Sequence, residues 1–230
     1  MPPLYRSTAQ ETWDAIAQSF DTTRTRPWDI CLEFIESLDI TDTVADIGCG
    51  NGRHLFPCAE QCSTVIGVDI SSKMLQLVQA KLRNSSVGNV SLLHADVVHL
   101  PIPDRSLDAV LFIASLHNIQ GKEHRLAALR EVARVLKPQG RALVSVWSRW
   151  QDKFYKQTLR RFIRHPCSSG DITIFWKQHK LNVPRFYHLY GRGEFIAELH
   201  AAGVQIDHVR NLKMNSKRFP DNYFALVRRK

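Results

Sequence analysis

Seven consecutive residues, Asp46-Ile47-Gly48-Cys49-Gly50-Asn51-Gly52, carry the strongest chemical signal in the chain. They follow a short apolar run and precede a helical pattern. Glycines at this place let the backbone turn tightly and let a ligand approach with no Cβ in the way. The spacing is G-x-G-x-G, not the G-x-G-x-x-G that seats a pyrophosphate on a helix N-terminus. Asp46 at the loop entrance would repel a pyrophosphate and suits a ligand with a cationic amino group. Asp69 closes the next apolar run, where an acid accepts hydrogen bonds from ribose hydroxyls. Asp96, in His94-Ala95-Asp96-Val97, stands where an adenine amino group can be read. Together these residues describe a site for a nucleoside with a positively charged amino-acid tail.

Such a site needs strands that end at one edge and helices that cover them. The pattern predicts helices over Thr8 to Phe20 and Pro27 to Ser37; proline suits a first helical turn, where its missing N–H has no partner to lose. Strands are expected at Thr43 to Ile47, Thr64 to Asp69, Asn89 to His94, Leu107 to Ile113 and Arg141 to Trp147. Helices are expected between them at Gly52 to Gln61, from an N-cap at Ser71 to Arg83, and at Lys122 to Leu136. Alternation of this kind argues for an α/β fold with a mainly parallel sheet. The rhythm breaks from Ser148 to Val183, a basic and aromatic stretch that reads as an insertion. It resumes with a helix at Gly193 to Ala202 and strands at Val204 to Arg210 and Asn222 to Arg228. One domain is expected over 1–230, with a helical extension at 1–40 and the insertion at 148–183.

The loop and its acids resemble the class I S-adenosylmethionine-dependent methyltransferases. The resemblance implies a Rossmann-like, seven-stranded doubly wound sheet with the last strand antiparallel. It implies S-adenosyl-L-methionine as cofactor. Asp46, Gly48, Cys49, Gly50, Asn51 and Gly52 would line it, with Asp69 and Ile70 at its ribose, and Ala95, Asp96 and Val97 at its adenine. Ala114, in the tail of the fourth strand, would face the sulfonium.

Further segments resemble a narrower group, the tRNA wobble-uridine carboxymethyl methyltransferases. They are Trp13-Asp14-Ala15-Ile16-Ala17 with Arg24 and Trp28, Ile113-Ala114-Ser115-Leu116-His117, Arg185-Phe186-Tyr187-His188-Leu189-Tyr190 and Asp221-Asn222-Tyr223. That resemblance implies methyl transfer to the carboxylate of 5-carboxymethyluridine at the wobble position, forming the methyl ester. A carboxylate is already ionised at neutral pH, so the reaction asks for no strong base. It asks for groups that hold a desolvated anion. The candidates are Arg24, His117 and Arg185. The resemblance also implies a small zinc-binding activator subunit as partner, and the edge strand near Val90 to His94 is the natural place for it.

Composition sets the outer bounds. Lys and Arg number 31 against 22 Asp and Glu, a formal charge of +9, which favours a polyanionic partner. Lys153, Lys156, Arg160 and Arg164 recur at helical spacing and form a stripe suited to the phosphates of a tRNA anticodon arm, with aromatics interleaved. No apolar run reaches the roughly 18 residues of a membrane span, and no secretory signal is read at the start, so the expected place is the cytoplasm, or the nucleus. Five cysteines without C-x-x-C spacing give neither a disulfide framework nor a metal site. Three rival readings remain: a methyltransferase of a small metabolite, a non-catalytic scaffold, and an NAD oxidoreductase, which the loop spacing disfavours.

Overall fold

The computed structural model describes residues 4–164 and 170–230. Two helices come first, α1 (Leu4–Thr23) and α2 (Asp29–Glu36). Then strands and helices alternate: β1 (Thr43–Ile47), α3 (Leu55–Gln61), β2 (Thr64–Asp69), α4 (Ser72–Arg83), β3 (Val90–His94), β4 (Leu107–Phe112), α5 (Lys122–Val135) and β5 (Leu136–Trp147). After α6 (Tyr155–Arg164) come β6 (Asp171–Trp176), β7 (Val183–His188), α7 (Arg192–Ala201), β8 (Val204–Leu212) and β9 (Asn222–Arg229).

The main sheet has seven strands in the order β3-β2-β1-β4-β5-β9-β8. The first five pair in parallel, and β9 runs antiparallel to both β5 and β8. Parallel strands covered on both faces must be apolar throughout, and β4 and the end of β5 are almost wholly buried. One face packs Ala128, Leu129 and Val132 of α5 with Phe195 and Leu199 of α7. The other packs Ile30 and Phe34 of α2, Leu55 and Cys58 of α3 and Val78 of α4. Strand order reverses between β1 and β4, the switch point at which such sheets open a crevice at their carboxyl ends.

Local chemistry sets the helix that follows β2. The Ser71 side chain accepts from the Met74 N–H at 3.1 Å, an N-cap, and donates to Asp14 at 2.6 Å. Asp14 also accepts from the Lys73 N–H at 3.0 Å. A carboxylate at a helix N-terminus is favoured by the helix dipole, and here it pins α1 to the start of α4.

Several boundaries differ from the sequence reading. The α1 helix is longer at both ends, and α2 starts two residues after Pro27. The α3 helix begins at Leu55, because the glycine loop extends to its first turn. β4 stops at Phe112, and Ala114 beyond it adopts a positive φ of 53°. β5 begins at Leu136, so Lys137-Pro138 lies in extended backbone. The largest difference is the 148–183 stretch. It contains α6 and β6, and β6 pairs antiparallel with β7 as a two-stranded ribbon outside the main sheet. Pro184 sits in β7, which a ribbon tolerates because one side of each strand needs no ladder partner. Phe162 and Arg164 side chains and Cys167 lie outside the described residues.

Candidate active site

The glycine loop is drawn onto the end of β2 by backbone and side chain together. The N–H groups of Gly48 and Cys49 donate to the Val68 carbonyl at 2.7 and 3.0 Å. The Asp69 carboxylate accepts from the Gly50 N–H at 2.8 Å through one oxygen and from the Ser71 N–H at 2.8 Å through the other. Gly50 has a φ of 53°, and a Cβ there would find only Phe20 within reach, at 3.7 Å. That leaves the loop backbone open for a ligand.

A cavity of about 1030 Å³ opens over this loop. Gly48, Cys49, Gly50, Asn51, Asp69, Ile70, Ala95, Asp96, Val97 and Ala114 line it, as do Arg24, His117 and Arg185. Two residues expected at the ligand are placed elsewhere. Gly52 does not line the cavity: its φ is 82°, and a Cβ would press on Phe56 and Val78 at 3.1 and 3.2 Å, so its role is close helix packing. Asp46 stands behind the loop, 2% exposed and outside the lining, with Oδ2 unpartnered among the described residues. Burial pushes its carboxyl up to about 7; Arg53 opposes that shift and Asp69 adds to it. Asp46 thus stands one layer behind the cavity wall that Gly48, Cys49 and Gly50 form. Burial also raises the Asp69 pKa, against the two backbone N–H groups that favour its anion.

Part of the cavity wall is aromatic and cationic. Arg185 is 7% exposed. Its Nη1 donates to the Tyr187 hydroxyl at 2.6 Å, while its Nε is buried with no partner among the described residues. Its guanidinium lies 4.8 Å from the Trp176 ring, 5.0 Å from Tyr187 and 5.7 Å from Trp13. A buried cation held by ring faces keeps its charge for an anion. Burial moves its pKa below the usual arginine value.

His117 is buried against Trp147 and Tyr187, with ring centroids at 5.3 and 5.4 Å, and those two rings lie 4.7 Å from each other. The Trp147 N–H donates to its Nδ1 at 3.2 Å. Burial first, then His188 and Arg185, lower its pKa to about 3. The ring is therefore neutral, with its proton on Nε2. His117 can donate a hydrogen bond to an anion but adds no positive charge.

Arg24 is exposed at the cavity rim, with its guanidinium 5.5 Å from the Trp176 ring. Its backbone is tied to the glycine loop: the Asn51 amide donates to the Arg24 carbonyl at 2.9 Å and to Asp21 at 3.0 Å. Lys81 closes this knot, donating to the Asn51 carbonyl at 3.0 Å and pairing with Asp21. The ribbon is fastened to α1 in turn. Trp176 Nε1 donates to the Ser19 hydroxyl at 2.8 Å, and that hydroxyl meets His179 Nδ1 at 2.7 Å. All three candidate clamp residues thus face one cavity. Sequence reasoning missed Trp176 and Arg53, which also line it. The β-branched run Ile172-Thr173-Ile174 was the available signal for the strand carrying Trp176; nothing local marks Arg53.

Of the stripe, Lys153, Lys156 and Arg160 are exposed, and Lys153 also lines the cavity. Phe154 is buried and Tyr155 packs on Phe219 at 5.5 Å, so these aromatics serve packing. Asp152 accepts the backbone N–H groups of Lys217, Arg218 and Phe219 at 2.9, 3.2 and 3.2 Å, which brings a second basic loop beside the first.

Comparison with known proteins agrees with this geometry. The family described as a methyltransferase domain matches residues 45–144. A protein of Encephalitozoon cuniculi named as a methyltransferase is 30% identical over 199 residues, 85% of this chain and 87% of that protein. The tRNA (carboxymethyluridine(34)-5-O)-methyltransferase ALKBH8 of Mus musculus is 32% identical over 169 residues; these are 73% of this chain but 24% of that protein, so the chain spans about a quarter of it. A Schizosaccharomyces pombe protein of the same enzymatic name is 28% identical over 210 residues, covering 85% of this chain and 88% of that protein. Among solved structures, a SAM-dependent methyltransferase from Methanosarcina mazei superposes with a TM-score of 0.73 at 20% identity, over 89% of this chain and 98% of that one. A methyltransferase solved with the Trm112 methyltransferase activator of Haloferax volcanii gives 0.69 at 17% identity, over 95% and 96%. With its glycine loop, its acids at the ends of β2 and β3 and these relatives, the chain belongs to the class I S-adenosylmethionine-dependent methyltransferases.

Proposed function

We propose that this chain methylates the carboxylate of 5-carboxymethyluridine at the wobble position of tRNA, giving the methyl ester. The observation that carries the reading is Arg185: a guanidinium buried in the cavity, ringed by aromatics and without an acidic partner among the described residues. A buried charge of that kind calls for an anion. The relatives named for carboxymethyluridine supply the identity of that anion.

The residues present fit the cofactor. Gly50 leaves an open backbone face, Asp69 and Asp96 stand on the wall for ribose and adenine, and the unpartnered Asp46 oxygen favours a cationic ligand from behind the loop. When bound, S-adenosylmethionine supplies a sulfonium methyl group that a carboxylate oxygen takes as the S–C bond breaks and a neutral thioether departs. The chain's own work is orientation and desolvation, and holding reactants in line supplies several kcal/mol of the barrier. Arg185 and Arg24 hold the carboxylate, and the neutral His117 donates to it from Nε2. A neutral imidazole suits a reaction that removes no proton from the nucleophile.

The exposed cations of α6 and the adjoining Lys217-Arg218 loop would meet tRNA phosphates. Affinity for tRNA should then fall steeply with salt, with log K dropping by roughly 0.9 per phosphate contact for each tenfold rise in salt. Salt-independent binding would remove this surface from the reading. For the activator, β3 is one of the two edge strands of the main sheet, with Val90, Leu92 and Leu93 only half-buried. An unpaired edge of this kind invites strand addition. Co-expression with a Trm112-type activator is expected to raise soluble yield, and a soluble chain fully active alone would overturn that partner. The cytoplasm or nucleus is the expected place of work; no described helix is long and apolar enough to cross a membrane.

The deciding experiment incubates the chain, with and without the activator, with unmodified and carboxymethylated tRNA, followed by mass analysis of nucleosides. A methyl ester formed only on the carboxymethylated tRNA supports the proposal. Methylation of a small metabolite with tRNA untouched would replace it by the rival reading.

A further inference from the structure

We infer that Trp176 is a positioning residue that holds Arg24 and Arg185 together as an unneutralised clamp for the substrate carboxylate. This deepens the proposed function and rests on its carboxylate reading. Trp176 is 3% exposed and lines the cavity, and both guanidiniums lie within 5.5 Å of its ring. Two cations beside one another repel, and the repulsion grows in a desolvated site. An Asp or Glu between them would relieve it but would also occupy the clamp. A ring face attracts each guanidinium through its quadrupole and leaves its N–H donors for an incoming anion.

The indole is itself fixed. Its Nε1 donates to Ser19 on α1 at 2.8 Å, the same hydroxyl meets His179 at 2.7 Å, and Phe20 packs on the ring at 5.8 Å. The ribbon therefore brings one arginine on β7, and α1 leads directly into the loop that carries the other. Trp176 is where the two meet. It adds no proton and no charge; it sets where the charges stand.

The test measures binding, by competition, of tRNA carrying the carboxymethyl side chain and tRNA carrying the uncharged carbamoylmethyl side chain. Wild type is expected to prefer the carboxylate by about tenfold or more, as befits a desolvated charge pair. Trp176→Leu should cut that preference to about threefold or less, with the affinity for S-adenosylhomocysteine little changed. Trp176→Phe keeps a ring face and should restore most of the preference. Ser19→Ala, a milder change that frees the indole, should give an intermediate value. A loss of affinity shared equally by both tRNAs in Trp176→Leu and Ser19→Ala would mark a merely structural role and overturn the inference. If wild type itself shows no preference, the carboxylate reading fails, and the clamp with it.

Discussion

Replacing Arg185 by methionine is expected to lower kcat/KM on carboxymethylated tRNA by about 10²–10³-fold. Methionine is unbranched and apolar, ends about where the Arg185 Nε stands, and so fills most of the space among Trp13, Trp176 and Tyr187 while removing the charge. The substrate carboxylate would then lose its water without gaining a buried partner. Stranding one partner of a buried charge pair costs about 2–5 kcal/mol. Affinity for S-adenosylhomocysteine should stay within about twofold, because the contacts of Arg185 are with Tyr187, Trp176 and Trp13 rather than with the glycine loop. Arg185→Lys should recover only part of the loss, since an ammonium has neither the planar fork nor the stacking surface of a guanidinium.

The same substitution separates function from folding. Arg185 carries an unsatisfied Nε and has no acidic partner among the described residues. Exchanging such a group for an apolar side chain of similar volume is commonly neutral or stabilising. The melting temperature of Arg185→Met should therefore hold or rise while activity collapses. A fall in activity that tracks a fall in melting temperature, or an equal loss of cofactor affinity, would remove Arg185 from the clamp.

What the sequence made legible follows from the range of the interactions involved. The positive-φ glycines of the loop and the Ser71 cap are local: residue type at one or a few positions decides them, and the structure has both where the sequence puts them. The buried strands are legible for a related reason, since an apolar run bounded by turn residues has little else to become. The β6–β7 ribbon is different. Trp176 acquires its partner from Ser19, 157 residues earlier in the chain, and no local pattern announces that contact. Charged residues such as Lys177 and Lys180 around the run made the segment read as a basic insertion. Gly52 shows a second limit, because a glycine needed for close packing and one needed by a ligand look alike in sequence. His117 shows a third. Its position in the site was readable, but its charge depends on burial by Trp147 and Tyr187, one of which lies 70 residues beyond it.

Asp46 gives the second large effect, and it pulls stability and ligand binding in opposite directions. Its carboxyl titrates at about 7 in the folded chain, chiefly because it is buried. An unfolded aspartate titrates at about 4. Between those values the folded chain keeps a proton that the unfolded chain has released. Stability therefore falls as pH rises through this window, by up to about 1.4 kcal/mol per unit, and stays low above it. Asp46→Asn carries no such titration. Its melting temperature relative to wild type should rise by about 5–10 °C as the pH goes from 5 to 8. Cofactor binding should move the other way. A cationic ligand favours the ionised carboxylate, so wild type gains affinity for S-adenosylmethionine, relative to Asp46→Asn, over the same pH range. The ligand's own titration is common to both proteins and cancels in that ratio. A difference in melting temperature that stays flat with pH would show that Asp46 is already ionised at pH 5. A flat affinity ratio would show that the charge behind the loop does not reach the ligand. The acid is thus expected to destabilise the empty site, and the bound cation to offset that cost.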